Sequence, residues 1–199
     1  MIIQPAIPTY VFLDLESTGT DFELDSILET GVVVVDSAWN NIGAFQALHK
    51  TSPELWARGT WPGALDMHTK NGLLGDLVHA TEVTHYVDIR LHNWLIANWN
   101  PERYSLIMAG RSIGQFDYPM IKKQMPLTAS LFSHRVMDTS VVERFCAPCG
   151  ITFPGKKEHP AHRGLADCLD ELEAARWFSW KLRRLVHIEH AVGWQVASY

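Results

Sequence analysis

The run ILETGVVVVD at Ile27–Asp36 holds four consecutive valines. β-Branched side chains suit a pleated surface, so the run reads as a strand. Its side chains are apolar on both faces, and both faces must therefore be covered. That requires a layered domain. YVFLDL at Tyr10–Leu15 predicts a second strand, ended by the turn Ser17-Thr18-Gly19. IGAFQAL at Ile42–Leu48 alternates and predicts a third, paired with the valine strand through the loop from Ser37 to Asn41.

The polar, Trp/Pro/Gly-rich stretch Thr51–Gly72 reads as loop and short helix. Val83–Trp99 predicts a helix, with Val83, Val87, Leu91, Trp94 or Leu95, and Asn98 at helical spacing and Pro101 beyond its end. Tyr104–Ala109 reads as a short buried strand closed by Gly110, and Asp117–Met125 as a helix stopped by Pro126. Val136-Met137 reads as a strand, and Thr139–Cys146 as a helix. Leu165–Val186 is the longest helix, with Leu165, Leu169, Leu172, the stem of Arg176, Phe178, Leu182 and Leu185 along one stripe. The order βββαβαβαα predicts an α/β domain, a mixed five-stranded sheet flanked by helices. At 199 residues a single domain is expected, spanning 1–186, with 187–199 a tail to which no role is assigned.

Composition narrows the function classes. Hydrophobic residues make up 47% and charged residues 20%, which excludes a disordered chain. No apolar run approaches ~18 residues, so no membrane span is expected. MIIQPAIPTY has no basic n-region and two prolines, and does not read as a signal peptide. The three cysteines cannot form a complete disulfide framework, which fits a reducing, cytoplasmic setting. A net charge of −5 argues against a large nucleic-acid footprint. It leaves open a short nucleic-acid substrate held through cations.

Asp14 and Glu16 stand at i and i+2 on the first strand, so their carboxylates share a face. Among apolar neighbours they repel each other unless a cation lies between them. Oxygen donors without an adjacent cysteine or histidine favour Mg²⁺ or Mn²⁺ over zinc. A solvated strand end is the other reading of this pair alone. Asp117 falls at a strand-to-helix turn, where an acid can simply complement the helix dipole. Asp167 lies in the first turns of the last helix. His162 stands five residues earlier, about 140° away if both were helical, which with Pro160 places it on the preceding loop.

Together FLDLESTG, AGRSIGQFD and HRGLAD resemble the three exonuclease motifs of the DEDD superfamily, in the DnaQ-like subgroup with histidine in motif three. Within it the chain resembles oligoribonucleases, through SIGQ, HTKNGL at His68–Leu73 and SHRVMDTS at Ser133–Ser140. The resemblance runs from about Tyr10 to about Trp180 and implies a ribonuclease H-like fold. Three positions depart from it. Phe116 intervenes between SIGQ and Asp117, as in proofreading exonucleases, Arg111 stands where Asn is common, and Thr20 where Leu is common.

The resemblance implies hydrolysis at the 3′ end of short single-stranded RNA, or DNA, assisted by two Mg²⁺ or Mn²⁺ ions. Asp14 would bridge both ions, Glu16 and Asp167 complete one site, Asp117 serve the other, and His162 act as general base. The Ser17-Thr18-Gly19 turn and Thr20 would approach the terminal ribose and base, with Trp61 as a stacking aromatic. Ser112, Arg135, His68 and His134 match a 5′-phosphate cap; His134 stands where a tyrosine from the partner subunit is usual. Arg135 paired with Asp138 on the surface is the alternative. The family also implies a homodimer. An exonuclease on longer DNA or RNA tails is the close alternative, and an inactive nucleic-acid-binding module the distant one.

A structural zinc site at Cys146, Cys149, His159 and His162 competes for the histidine. Its spacing suits a zinc finger poorly. CAPCG more simply ends a helix with buried thiols. The eight tryptophans read as core or interface by default, Trp61 excepted.

Overall fold

A computed structural model describes residues 7–99, 106–155 and 162–192, with side chains described through Arg184. Five strands, β1 (Tyr10–Ser17), β2 (Ile27–Val35), β3 (Asn41–Leu48), β4 (Leu106–Gly110) and β5 (Phe132–Asp138), form one sheet in the order β3-β2-β1-β4-β5. β1, β2 and β3 pair antiparallel, whereas β4 joins β1 and β5 joins β4 in parallel. The sheet is mixed, as the element order predicts. All nine residues of β2 are buried.

Period-2 alternation along β1 divides the core. Val11, Leu13 and Leu15 face a cluster with Val87, Leu91 and Leu95 of helix α4 (Thr84–Asn98) and Met120 and Ile121 of α5 (Asp117–Gln124). Phe12 faces the other way, with Val33, Val35 and Ala109, against Cys168, Leu172 and Ala175 of the last helix, α8 (Gly164–Val192). Asp14 and Glu16 follow Phe12 by even steps and so share the α8 side.

Between β3 and α4 lie α1 (Pro53–Ala57), α2 (Pro62–Lys70) and α3 (Leu73–Leu77). A helix α6 (Pro126–Ala129) follows α5, and α7 (Thr139–Cys146) follows β5. Pro126 does end α5 but opens α6, whose first amides are met by a buried acid. Asp88 of α4 accepts from the N–H groups of Leu127 and Thr128 at 3.0 and 2.8 Å.

Several expectations are corrected. The inward stripe of α8 includes Cys168 and Ala175, while Leu169 and Leu182 are 43% and 40% exposed and Arg176 lies outside, donating to the Trp39 carbonyl. α8 continues past Val186 to Val192, so residues 187–192 extend this helix. Val83 caps α4 from an exposed position rather than joining its buried face. β5 spans Phe132–Asp138, longer than Val136-Met137. Tyr104, Ser105 and Pro160 lie outside the described residues, as do the side chains of Leu185 and Val186. Among the described residues no helix is long and apolar enough to cross a membrane.

Candidate active site

The register of β1 and β2 sets the site. Asp14 lies opposite Gly31, and Glu16 opposite Glu29. Asp117, at the start of α5, accepts from the Leu15 N–H at 3.0 Å, which ties motif two to the strand that carries motif one. Asp167 lies in the first turn of α8. His162, in the turn before α8, adopts a left-handed φ of 48°. Asn71 donates to its carbonyl at 2.6 Å. Ligand atoms of Glu16, His162 and Asp167 all lie within 4.8 Å of one another.

The four acids and His162 line one cleft of about 550 Å³. Glu143, Asp170, Glu171 and Glu173 border it, with Arg111 on its wall. Arg111, in the place where Asn is common in the family, grips Glu171 and Glu143 at 2.9 Å each. Thr139 donates to the other oxygen of Glu171. A second cavity of about 600 Å³, lined by Tyr10, Trp39, Ala175, Phe178 and Leu182 among others, is apolar and holds no acid. The acids and the histidine of the three motifs gather in the acidic cleft and not in this one.

Burial, then the charges of Asp117, Glu16 and Asp167, push the Asp14 carboxyl well above the ordinary range. Burial and then Asp167, Glu29 and Asp117 raise Glu16 to about 8, with Arg163 opposing. Burial raises Asp117 to about 7, against the Leu15 hydrogen bond. Each ionised form is thus unfavourable without a compensating positive charge. An all-oxygen donor set under this repulsion fits a hard divalent cation.

His68 departs from the cap expectation. It is 1% exposed, on the inner face of α2 with Ala64. Its Nε2–H donates to the Ser17 carbonyl at 3.0 Å, and Nε2 lies 3.8 Å from Glu16. Burial lowers its pKa below the ordinary histidine value. Buried and committed to β1, His68 supports the end of the strand and offers no surface donor to a terminal phosphate.

Ser112, also at positive φ, lines the cleft, and its N–H binds Asp138 at 3.1 Å. His134 and Arg135 are exposed on β5. The alternative pairing of Arg135 with Asp138 is absent among the described residues. Asp138 instead caps α7 through the Ser140 N–H at 2.9 Å and hydroxyl at 2.7 Å.

Thr20 and Trp61 are exposed, Trp61 at the start of α2. Their loops are stapled by a residue that sequence reasoning missed. Asp25, 3% exposed, accepts from the Thr18 hydroxyl at 2.9 Å, the Asp21 N–H and Thr60 N–H at 2.8 Å each, and the Thr60 hydroxyl. The Thr18 side chain is therefore occupied, and Ser17, Thr18 and Gly19 are all buried, so only Thr20 of that turn is exposed.

The zinc alternative loses its histidine, since His162 joins the acids. Cys146 packs with Ile151 and Phe178, Cys149 is exposed, and His159 lies outside the described residues.

No family model matches the chain. Oligoribonuclease of Photobacterium profundum is 28% identical over 171 residues, covering 84% of this chain and 92% of that protein. Oligoribonuclease of Vibrio cholerae serotype O1 is 33% identical over 135 residues, covering 67% and 72%. A zinc-bound complex of E. coli exonuclease I with single-stranded DNA superposes with a TM-score of 0.69 at 20% identity, over 94% of this chain and 43% of that one. A product-bound exonuclease I gives 0.67 at 19% identity, over 94% and 46%. The chain thus spans less than half of exonuclease I, and that likeness shows the fold: ribonuclease H-like, of the DnaQ-like exonuclease kind. With the motifs gathered in one cleft and a relative at 33% identity, the chain belongs to the oligoribonuclease family and is a hydrolytic nuclease.

Proposed function

We propose that this chain is a two-metal-ion 3′→5′ exonuclease that hydrolyses short single-stranded oligoribonucleotides, dinucleotides included, to nucleoside 5′-monophosphates. The observation that carries the reading is the convergence of Asp14, Glu16, Asp117, Asp167 and His162 on one cleft, with carboxyls burial-shifted to about 7 and 8. The four acids would hold Mg²⁺ or Mn²⁺. Bound there, such ions neutralise phosphate charge and acidify water.

The chain's own residues supply the rest. The imidazole of His162 accepts the proton of the attacking water. As water oxygen bonds to phosphorus, the bond to the 3′-oxygen of the preceding nucleotide breaks, releasing a 5′-monophosphate. The exposed Thr20 and the indole of Trp61 orient the terminal nucleotide. Arg135, with Ser112 and His134, takes the 5′-phosphate at the other end, its planar fork suiting a phosphate bidentately. The exposed apolar Val141 and Phe145 of α7, at 58% and 77%, support a homodimer.

Phe116 on the cleft wall favours the second reading, an exonuclease acting on longer tails. A length series from two to about ten nucleotides, RNA against DNA, decides. A clear preference for the short RNA supports the proposal. Equal kcat/KM on a dinucleotide and a ten-mer replaces it with the broader exonuclease.

A further inference from the structure

Glu29 is a charged residue near the start of β2, a strand buried along its whole length, and its side chain is 0% exposed. Isolation there would be costly. Its oxygens are instead filled by four donors. Arg163 binds as a fork, Nε and Nη2 at 3.1 Å each, while the Gly164 N–H donates at 3.0 Å and the Gln46 amide at 2.7 Å. The third Arg163 nitrogen meets Asp76 at 2.9 Å.

Arg163 and Gly164 are the two residues that follow His162. One buried carboxylate therefore anchors both, while Asn71 holds the His162 carbonyl from the other side. Between these anchors His162 is kept left-handed, a conformation that persists in a non-glycine residue only when its surroundings over-determine it. The outcome of that backbone is the placement of the imidazole beside Glu16 and Asp167.

Glu29 is an awkward choice if its only task is cohesion. It stands directly opposite Glu16 across the β1–β2 pair, where like charges oppose each other. Its oxygens are filled by N–H donors, so it is not a further ligand. We infer that Glu29 is the positioning residue for His162, acting through the Arg163 fork and the Gly164 amide. The inference rests on the reading of His162 as general base.

The test is a double-mutant cycle on a dinucleotide, with His162→Ala, Glu29→Gln and the pair. Glu29→Gln keeps the shape but loses the charged fork, and is expected to lower kcat at least tenfold with KM within about twofold. In the His162→Ala background it should lower kcat no further, because the group it positions is gone. In the metal-free protein, the imidazole NMR resonances of His162 should move while those of His79 and His92 stay. Arg163→Lys, a one-quarter-exposed side chain, carries the same cycle independently of how Glu29→Gln folds. Losses that simply add, or an unmoved His162 resonance, overturn the positioning role while leaving the base intact. A normal kcat in His162→Ala overturns the base reading, and the positioning role with it.

Discussion

Gly164 of α8 rests directly on Gly31 of β2. A Cβ on Gly31 would lie 2.0 Å from the Gly164 carbonyl carbon, and one on Gly164 would lie 2.7 Å from the Gly31 nitrogen and 3.0 Å from the Asp14 carbonyl oxygen. Backbone meets backbone at the register position opposite Asp14, and this contact brings the first turn of α8, with Asp167, against the strand carrying Asp14 and Glu16.

Gly31→Ala should therefore displace α8 rather than be absorbed by a side chain. Overpacking of this kind costs ~1–3 kcal/mol of stability. Misplacement of catalytic groups by ~1 Å can cost ~10²-fold in rate. Denaturant unfolding beside kcat checks both, and a normal kcat would show that the approach does not set the site.

The acid cluster fixes a pH dependence for the metal-free protein. Folded-state values of about 8 for Glu16 and about 7 for Asp117 stand above an unfolded value near ~4. A raised folded value means that the folded state holds its protons longer. Stability is then fullest below pH ~4 and is lost as pH rises through 7 to 8. Melting temperature without divalent cations should fall over that window, and the rise on adding Mn²⁺ should grow over it. Asp14→Asn and Asp167→Asn should remove most turnover while raising the metal-free melting temperature at pH 8. A melting temperature that climbs from pH 5 to 8 without metal would contradict the repulsion.

Much of this site was legible because its motifs are local. D-x-E on a strand, an acid at a strand-to-helix turn, and a histidine five residues before a helical aspartate each point to a position. The buried strands were legible too, since continuous valines admit few alternatives. Side-chain choices set by distant partners were not. Leu169 and Leu182 look inward by spacing, yet α8 sits so close to the sheet that Cys168 and Ala175 take that face. His68 reads as a surface donor, but the inner side of α2 buries it against Ser17. Asp25, Glu29 and Asp88 are acids that each hold a partner 35 to 135 residues away, and local spacing does not reveal those links.

His162→Ala should lower kcat ~10²–10⁴-fold with Mn²⁺ affinity little changed. The same substitution in a zinc site would instead release zinc and lower the melting temperature. Metal content and melting temperature measured beside kcat separate the two.

Arg135→Ala should weaken binding of a 5′-phosphorylated dinucleotide by ~1.5–3 kcal/mol, the range for a hydrogen bond to a charged group. Dinucleotides lacking that phosphate should bind almost as before. Equal losses on both would remove Arg135 from the cap.

The most direct measurement is turnover of a 5′-phosphorylated RNA dinucleotide with Mn²⁺, before and after excess EDTA, in the wild type and Asp14→Asn. The account predicts release of nucleoside 5′-monophosphates that EDTA abolishes and Asp14→Asn lacks. A folded wild-type protein that binds the dinucleotide but shows no EDTA-sensitive hydrolysis would contradict it.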